Sequence, residues 1–149
     1  MADIYLKLDG FKGTATEKGH KDWIEVKSFS HGLSQMGSAR TGGNEVRMGD
    51  IQLHKEVGPE SPSLALKCCT AEVLKEAVLD LCESGTDQRV FMKYTLNDCV
   101  IASVTTGGSG GGHADETLSL NFQKIRWDYI PKSGSPEKAG WDLIKKTKQ

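Results

Sequence analysis

Polarity alternates with a period of two along most of this chain, and that pattern constrains the fold more than any other feature. Near the N-terminus Ile4, Leu6 and Leu8 share one parity, Tyr5 and Lys7 the other, and Asp9-Gly10 ends the run. Successive side chains of a strand point to opposite faces, so such a segment buries one face of a sheet. The alternation returns in Trp23–Lys27, and in 46–57 with Ile51, Leu53 and Lys55 on one side. It returns again where Ala77, Leu79 and Leu81 alternate with Val78, Asp80 and Cys82, and then in Arg89–Thr106, rich in β-branched and aromatic residues. In a last strand, 116–130, Leu118, Leu120 and Phe122 have the opposite parity to Ile125, Trp127 and Tyr129. A bulge near Gln123–Lys124 would reconcile the two halves.

One segment breaks the period. Ser61-Pro62 is a helix start, because Ser caps free N–H groups and Pro in the first turn loses no hydrogen bond. Leu64, Ala65, Cys68 and Cys69 follow at helical spacing, which predicts a short helix over about 62–71. Two glycine-rich stretches lack periodicity: an extended loop over about 35–44, and GGSGGG at 107–112 between two strands. The expected class is mainly β, a small antiparallel β-barrel with one short flanking α-helix and a long extended loop. At 149 residues a single domain over 1–149 is expected, with a C-terminal tail from 131 to 149.

Charge excludes some partners. Nineteen basic residues against twenty acidic ones leave a net charge of −1, so no global field draws in nucleic acid or an anionic membrane. The tail is locally basic, with Lys132, Lys138, Lys145, Lys146 and Lys148 against Glu137 and Asp142, and reads as solvated or partner-facing. No apolar run is long enough to cross a bilayer, and MADIYLKLDG alternates where a signal peptide would be apolar. The expectation is a chain made in the cytosol, without membrane insertion or a classical export signal. Cys68, Cys69, Cys82 and Cys99 show no C-x-x-C spacing and are expected as reduced, buried core thiols.

The candidate chemistry is thin. GGSGGG is followed by no Lys-Ser or Lys-Thr and opens no helix, so it is a strand connection and not a phosphate cradle. His20, His31, His54 and His113 never fall at metal-ligand spacing and are expected as isolated surface or hydrogen-bonded side chains, with no metal and no cofactor. Ser30 and His31 are neighbours on a strand, so their side chains diverge and form no catalytic pair. Asp3, Asp9, Asp80 and Glu116 are expected to keep outer strand faces soluble. The pattern points to a self-assembling structural protein and not to an enzyme. A monomeric β-barrel binding module, or a small hydrolase using His31 or His54 with a carboxylate, is the alternative.

Six collinear segments add a resemblance. MADIYLKLDGFKG, GHKDWIEVKSFSHGLSQ, SPSLALKCC, VIASVTTGGSGG, TLSLNFQKIRWDYIPK and GWDLIKK together resemble the hemolysin-coregulated protein family, the inner-tube subunits of bacterial type VI secretion. The resemblance implies a barrel with one flanking helix, assembled as a homohexameric ring whose copies stack into a tube, like contractile phage tail-tube proteins. It implies a contractile sheath and baseplate around the tube, a trimeric spike protein at its tip, and small secreted effectors carried and chaperoned in the lumen. Assembly is then cytoplasmic, followed by secretion without a signal peptide. On this chain it implies lumen contacts at Ser28 and Ser30. It implies ring or stacking contacts at Gln35, Met36, Gly37, Ser38, Arg40, Gly42 and Gly43.

Overall fold

The longest ladder organises the molecule. In the computed structural model, which describes residues 2–37, 39–40, 45–85 and 88–149, the strand Val90–Ser109 pairs antiparallel along its length with His113–Tyr129. Gly111 and Gly112 make the tight turn between them at φ +106° and +81°, values that side chains disfavour, which is why GGSGGG serves as a hairpin.

In chain order the elements are β1 (Ala2–Leu8), β2 (Ile24–Val26), β3 (Ser28–Ser30), β4 (Leu33–Gln35), β5 (Val46–Met48), β6 (Ile51–Glu56), α1 (Ser61–Thr70), β7 (Leu74–Glu83), β8 (Val90–Ser109), β9 (His113–Tyr129), β10 (Glu137–Asp142) and β11 (Thr147–Lys148). The main sheet runs β11-β10-β9-β8-β7-β1-β2, and β6 joins β9 to β3, every pairing being antiparallel. The fold is therefore mainly β with a single α-helix among the described residues. The barrel-like shell is not a seamless cylinder. The chain bends at Lys27, so that β2 pairs only with β1 and β3 only with β6, and the bond from Lys27 N–H to the His54 carbonyl bridges the bend. The β4–β5 hairpin forms a separate two-stranded sheet.

The bulge expected near Gln123–Lys124 is absent from the β8–β9 register, which shifts between Ile101 and Ser103 instead. The parity change is real but shared. Leu96 faces Ile125 in the core, and three residues further on Cys99 faces Phe122. Asp98, at φ +53°, lies between them. Both strands turn over at the same level, so their register survives while the face they bury changes.

The main core gathers Leu6, Leu8, Ile24, Ile51, Leu53, Leu79, Leu96, Leu118, Leu120 and Ile125 inside the shell, and Leu64 of α1 closes one end. Each such side chain contributes roughly 1.5–3 kcal/mol on burial. The connection before β2 is not merely polar. It covers the outer face of β1 and β7, where Tyr5, Ala15 and Cys82 form a second cluster. The chain passes so close there that a Cβ on Gly13 would lie 2.4 Å from the Trp23 carbonyl oxygen.

Asp80 and Glu116, expected on soluble outer faces, are each only 2 % exposed. Both satisfy buried partners. Glu116 takes part in the tightest polar cluster of the molecule, around Lys55, whose side chain is 0 % exposed. Lys55 Nζ lies 2.7 Å from Glu60 Oε1, 2.6 Å from Glu116 Oε1 and 2.9 Å from the Glu56 carbonyl oxygen. Glu60, not Ser61, occupies the cap position of α1, and it makes no side-chain cap bond. The Ser61 hydroxyl instead accepts from Gly58 N–H at 3.0 Å and donates to Glu116 at 3.1 Å.

The tail forms a strand and its lysines are exposed, but one side of it is built into the chain's own sheet. Glu137–Asp142 adds to β9 as β10, burying Gly140 and Asp142. Asp142 Oδ1 accepts from the backbone N–H groups of Lys145 and Ile144, which hold its carboxyl below the usual range.

Replacing Lys55 with Ala leaves two buried carboxylates facing each other, and is expected to remove about 3–5 kcal/mol of stability in urea unfolding. Replacing Lys55, Glu60 and Glu116 together with Met should recover most of that loss. A Lys55→Ala variant with an unchanged midpoint would contradict the role given to the cluster.

Candidate functional site, a polar four-strand face

Four adjacent strands, β3, β6, β9 and β8, turn one face away from the core. Register places Ser28 opposite His54 and Ser30 opposite Gln52, then Gln52 opposite Ser119 and His54 opposite Thr117. Across the next seam Ser119 faces Ser103 and Thr117 faces Thr105. The alternate residues Phe29, Leu53, Leu118 and Val104 pack against or within the core, so this polar face is the necessary reverse of an apolar one. Small hydroxyl and amide groups dominate it, and Ser103 Oγ hydrogen-bonds Ser119 Oγ at 2.5 Å. Charge gathers at the hairpin end, where Lys27, Glu56, His54, His113 and Asp115 meet, while at the other end Asn121 Nδ2 donates to Asp50 Oδ1 at 2.9 Å.

Ser28 and Ser30 thus sit side by side on this face, both exposed. Ser30 and His31 diverge as expected. His31 turns inward, with Nε2 3.1 Å from the Gly49 carbonyl oxygen and its ring against Tyr94 and Phe122. Phe29 meets Tyr94 edge-on on the same side.

Of the two alternatives for the histidines, isolated or hydrogen-bonded, the structure shows the partnered one. His54 Nε2 lies 3.5 Å from Asp115 Oδ2 and His113 Nε2 lies 3.2 Å from Asp115 Oδ1, so two side chains far apart in sequence share one carboxylate. That places His54 beside both a carboxylate and, across the ladder, Ser28. Nε2, the nitrogen that serves as base in a Ser-His-Asp triad, is turned to the carboxylate. Lys27 Nζ reaches the same Asp115 Oδ1 at 3.0 Å, which holds the carboxyl below its usual range and raises the lysine.

A second constellation lies buried. His20, 3 % exposed, has Nδ1 against Glu17 Oε1 and Nε2 2.8 Å from Asp80 Oδ2. It stacks on Tyr5 and meets Trp23 edge-on. Asp80 Oδ1 is 3.4 Å from Lys93 Nζ, an ion-pair contact but not an aligned hydrogen bond. Cys82 Sγ is 3.9 Å from His20 Nε2, a pairing that resembles a nucleophile with its base. Both imidazole nitrogens are already engaged by carboxylates, and burial pushes the thiol up to about 12, which disfavours the thiolate. The parity of Asp80 among apolar neighbours carried no signal for this cluster, because Glu17 and His20 come from the connection. Cys99 is buried as well, raised to about 11, but Cys68 is half-buried and Cys69 exposed, which corrects the expectation that all four thiols are core residues. None of the four is in a disulfide.

Of the expected contact residues in the extended loop, Ser38, Gly42 and Gly43 lie outside the described residues. Gln35 ends β4, and its side-chain oxygen accepts from Gly37 N–H at 2.8 Å. Met36 N–H donates to the Glu45 carbonyl oxygen. Met36 and Arg40 are exposed and Gly37 half-buried. Beside the β4–β5 hairpin is a cleft of about 300 Å³ lined by Leu33, Gln35, Val46, Met48, Trp127 and Trp141.

Two measurements check these assignments. Brief treatment of the folded protein with iodoacetamide should modify Cys69, while Cys82 and Cys99 react only in denaturant; early labelling of Cys82 would contradict its burial. Burial also holds His31 below 6.5. A histidine lowered in this way contributes stability that is complete above its unfolded value and is lost as pH falls through the folded one, because the unfolded chain takes the proton first. A His31→Asn variant should therefore lose less stability than the parent between about pH 7.5 and 5. Equal losses would place the acid sensitivity elsewhere.

Comparison with known proteins completes the description. The family described as "Type VI secretion system effector, Hcp" matches residues 5–129. Protein hcp1 of Pseudomonas aeruginosa is 32 % identical over 153 residues, covering 95 % of this chain and 94 % of that protein. Among solved structures, Hcp1 from Salmonella typhimurium superposes with a TM-score of 0.88 at 26 % identity, covering 99 % of each chain. A structure described as a type six secretion system protein gives 0.92 at 25 % identity, covering 100 % of each. None of the described residues forms a helix long and apolar enough to cross a membrane. With a family match across most of its length and a relative of this identity covering nearly all of it, the chain belongs to the Hcp family of type VI secretion proteins.

Proposed function

We propose that this chain is a single tube-forming domain whose copies assemble as hexameric rings, stack into the inner tube of a type VI secretion system, and carry small effectors in the lumen without acting as an enzyme. The observation that carries the reading, beyond family membership, is the polar face of β3, β6, β9 and β8. A conduit for varied cargo needs a wall that wets easily and binds nothing tightly, and short uncharged side chains in rows supply that. Ser28 and Ser30 lie on this face and are its lumen contacts.

Contacts between subunits fall elsewhere. Leu33 and Met36 beside the β4–β5 hairpin, and Ile144 in the tail, are exposed apolar side chains of the kind that anchor an interface. Gln35, Met36, Gly37, Ser38, Arg40, Gly42 and Gly43 make the lateral or ring-to-ring contacts. The assembled tube meets a trimeric spike protein, a baseplate and a contractile sheath. It forms in the cytoplasm and leaves the cell without a signal peptide.

Negative-stain imaging and native mass measurement of the purified protein should show rings, and a chain that stays monomeric at every concentration and salt condition would refute the reading. Ser30→Arg is expected to leave rings intact and reduce effector retention several-fold; failure to fold would instead put Ser30 in the core. Deleting residues 37–43 should impair stacking or lateral contacts more than subunit stability, because a surface loop carries little core.

A further inference from the structure

The charged end of the polar face is built around one carboxylate. Lys27 Nζ lies 3.0 Å from Asp115 Oδ1, His113 Nε2 3.2 Å from the same oxygen, and His54 Nε2 3.5 Å from Oδ2. Glu56 Oε1 is 3.5 Å from Lys27 Nζ. These are the titratable groups facing one another here: Lys27 from the β2–β3 bend, His54 and Glu56 from β6, His113 and Asp115 from β9. β8 contributes Thr105, Gly107, Gly108 and Ser109, none of which titrates. His54, His113 and Asp115 line an open cleft of about 400 Å³ together with the hydroxyls of Thr105, Ser109 and Thr117.

One nitrogen makes the arrangement sensitive to protons. His113 Nε2 is 3.5 Å from Lys27 Nζ as well as 3.2 Å from Asp115 Oδ1. Without a proton it accepts from the ammonium; with a proton it can only donate, and the carboxylate becomes its partner. With both imidazoles neutral, one cation faces two carboxylates. With both charged, three cations face the same two, so the cleft changes sign. A metal ion does not fit this geometry. Metal ligands converge on one point, whereas here each imidazole addresses its own carboxylate oxygen, and no set of three or more His, Cys, Asp or Glu among the described residues is arranged to hold one.

We propose that this cleft is an acid-gated binding site for anionic groups, sulfate-like ions or the carboxylates of an acidic peptide. Histidine is the side chain that changes charge in the mildly acidic range, and the hydroxyls of Thr105, Ser109 and Thr117 add donors that do not titrate. Asp115 is the gate: while the imidazoles are neutral it occupies Lys27, and when they charge it no longer offsets the cations around it. The site rests on the tube reading only for its setting, since an anion on cargo touching the polar face would meet it. The binding itself belongs to the folded chain.

Sulfate is the first probe, because its charge stays constant over the pH range used, and a glutamate-rich peptide is the second. Calorimetry on the full-length protein should show binding at least about tenfold tighter at about pH 5.5 than at about pH 7.5. A His54→Gln/His113→Gln double variant, changing only partly exposed positions, should lose that gain. Asp115→Asn should raise the affinity at neutral pH, because Lys27 then faces only one carboxylate, Glu56. Tightening with both probes assigns a general anion site, and tightening with the peptide alone assigns a carboxylate site. Equal affinity at both pH values for both probes, or a gain that survives in the double variant, overturns the proposal. Imaging the same samples separates the two readings: acid-dependent binding by a chain that forms no rings leaves this site standing, and rings without such binding remove it.

Discussion

A buried ammonium ties this molecule together. The Lys55 ammonium donates to Glu60 at the cap of α1 and to the carbonyl of Glu56, and lies 2.6 Å from Glu116 of β9 as an ion pair. A polar network of this kind stabilises only when complete, since a charge stranded at low dielectric costs several kcal/mol. The helix, β6 and β9 must therefore reach their places together. Lys55 also explains why the short helix sits where it does. The residue at its cap position, Glu60, is one of the carboxylates, and Leu64 in the helix seals the end of the core.

The same rungs that build this inner cluster build the outer one. Lys55 pairs with Glu116 toward the core, and at the next rung Glu56 pairs with Asp115 on the opposite face. Strand alternation converts two adjacent ion-rich positions into two sites of different character. The inner site is dry and structural, and the outer one is wet and adjustable. Between the outer cluster and the far end of β6 the face holds Ser, Thr and Gln, backed by the core beneath. An uncharged wall with a charged rim follows from the pairing of four strands and from nothing local to any of them.

Much of the fold was legible in the chain. The parity of Ile4, Leu6 and Leu8, of Ile51, Leu53 and Lys55, and of Leu118, Leu120 and Phe122 names core faces directly, and Lys55 was already on the apolar side of its strand. Ser61-Pro62 marked the helix to within one residue. What was misread had a common origin. Asp80 and Glu116 looked like solvent-facing carboxylates because their partners, His20 and Lys55, lie 60 or more residues away in the chain. The turnover at Asp98 looked like a bulge in β9 because the pattern of β9 alone shows the parity change without showing that β8 shares it. The tail read as a solvated or partner-facing strand, and nothing in its lysines reveals that β9 has an open edge beside it.

The sequence by itself determined the class of structure and the family, because alternation, turn glycines and ordered segments are local properties that survive without knowing what pairs with what. It also determined that Ser30 and His31 would point apart, since neighbouring residues on a strand have no other choice. Only the tertiary structure decided which polar residues became partners. His54 and His113 meet at Asp115, Lys55 meets Glu60 and Glu116, and Glu17 meets His20 and Asp80, because strand pairing and burial bring distant positions within a few ångströms. Hydrogen bonds and ion pairs are made at that range, and the linear spacing of the residues does not encode it.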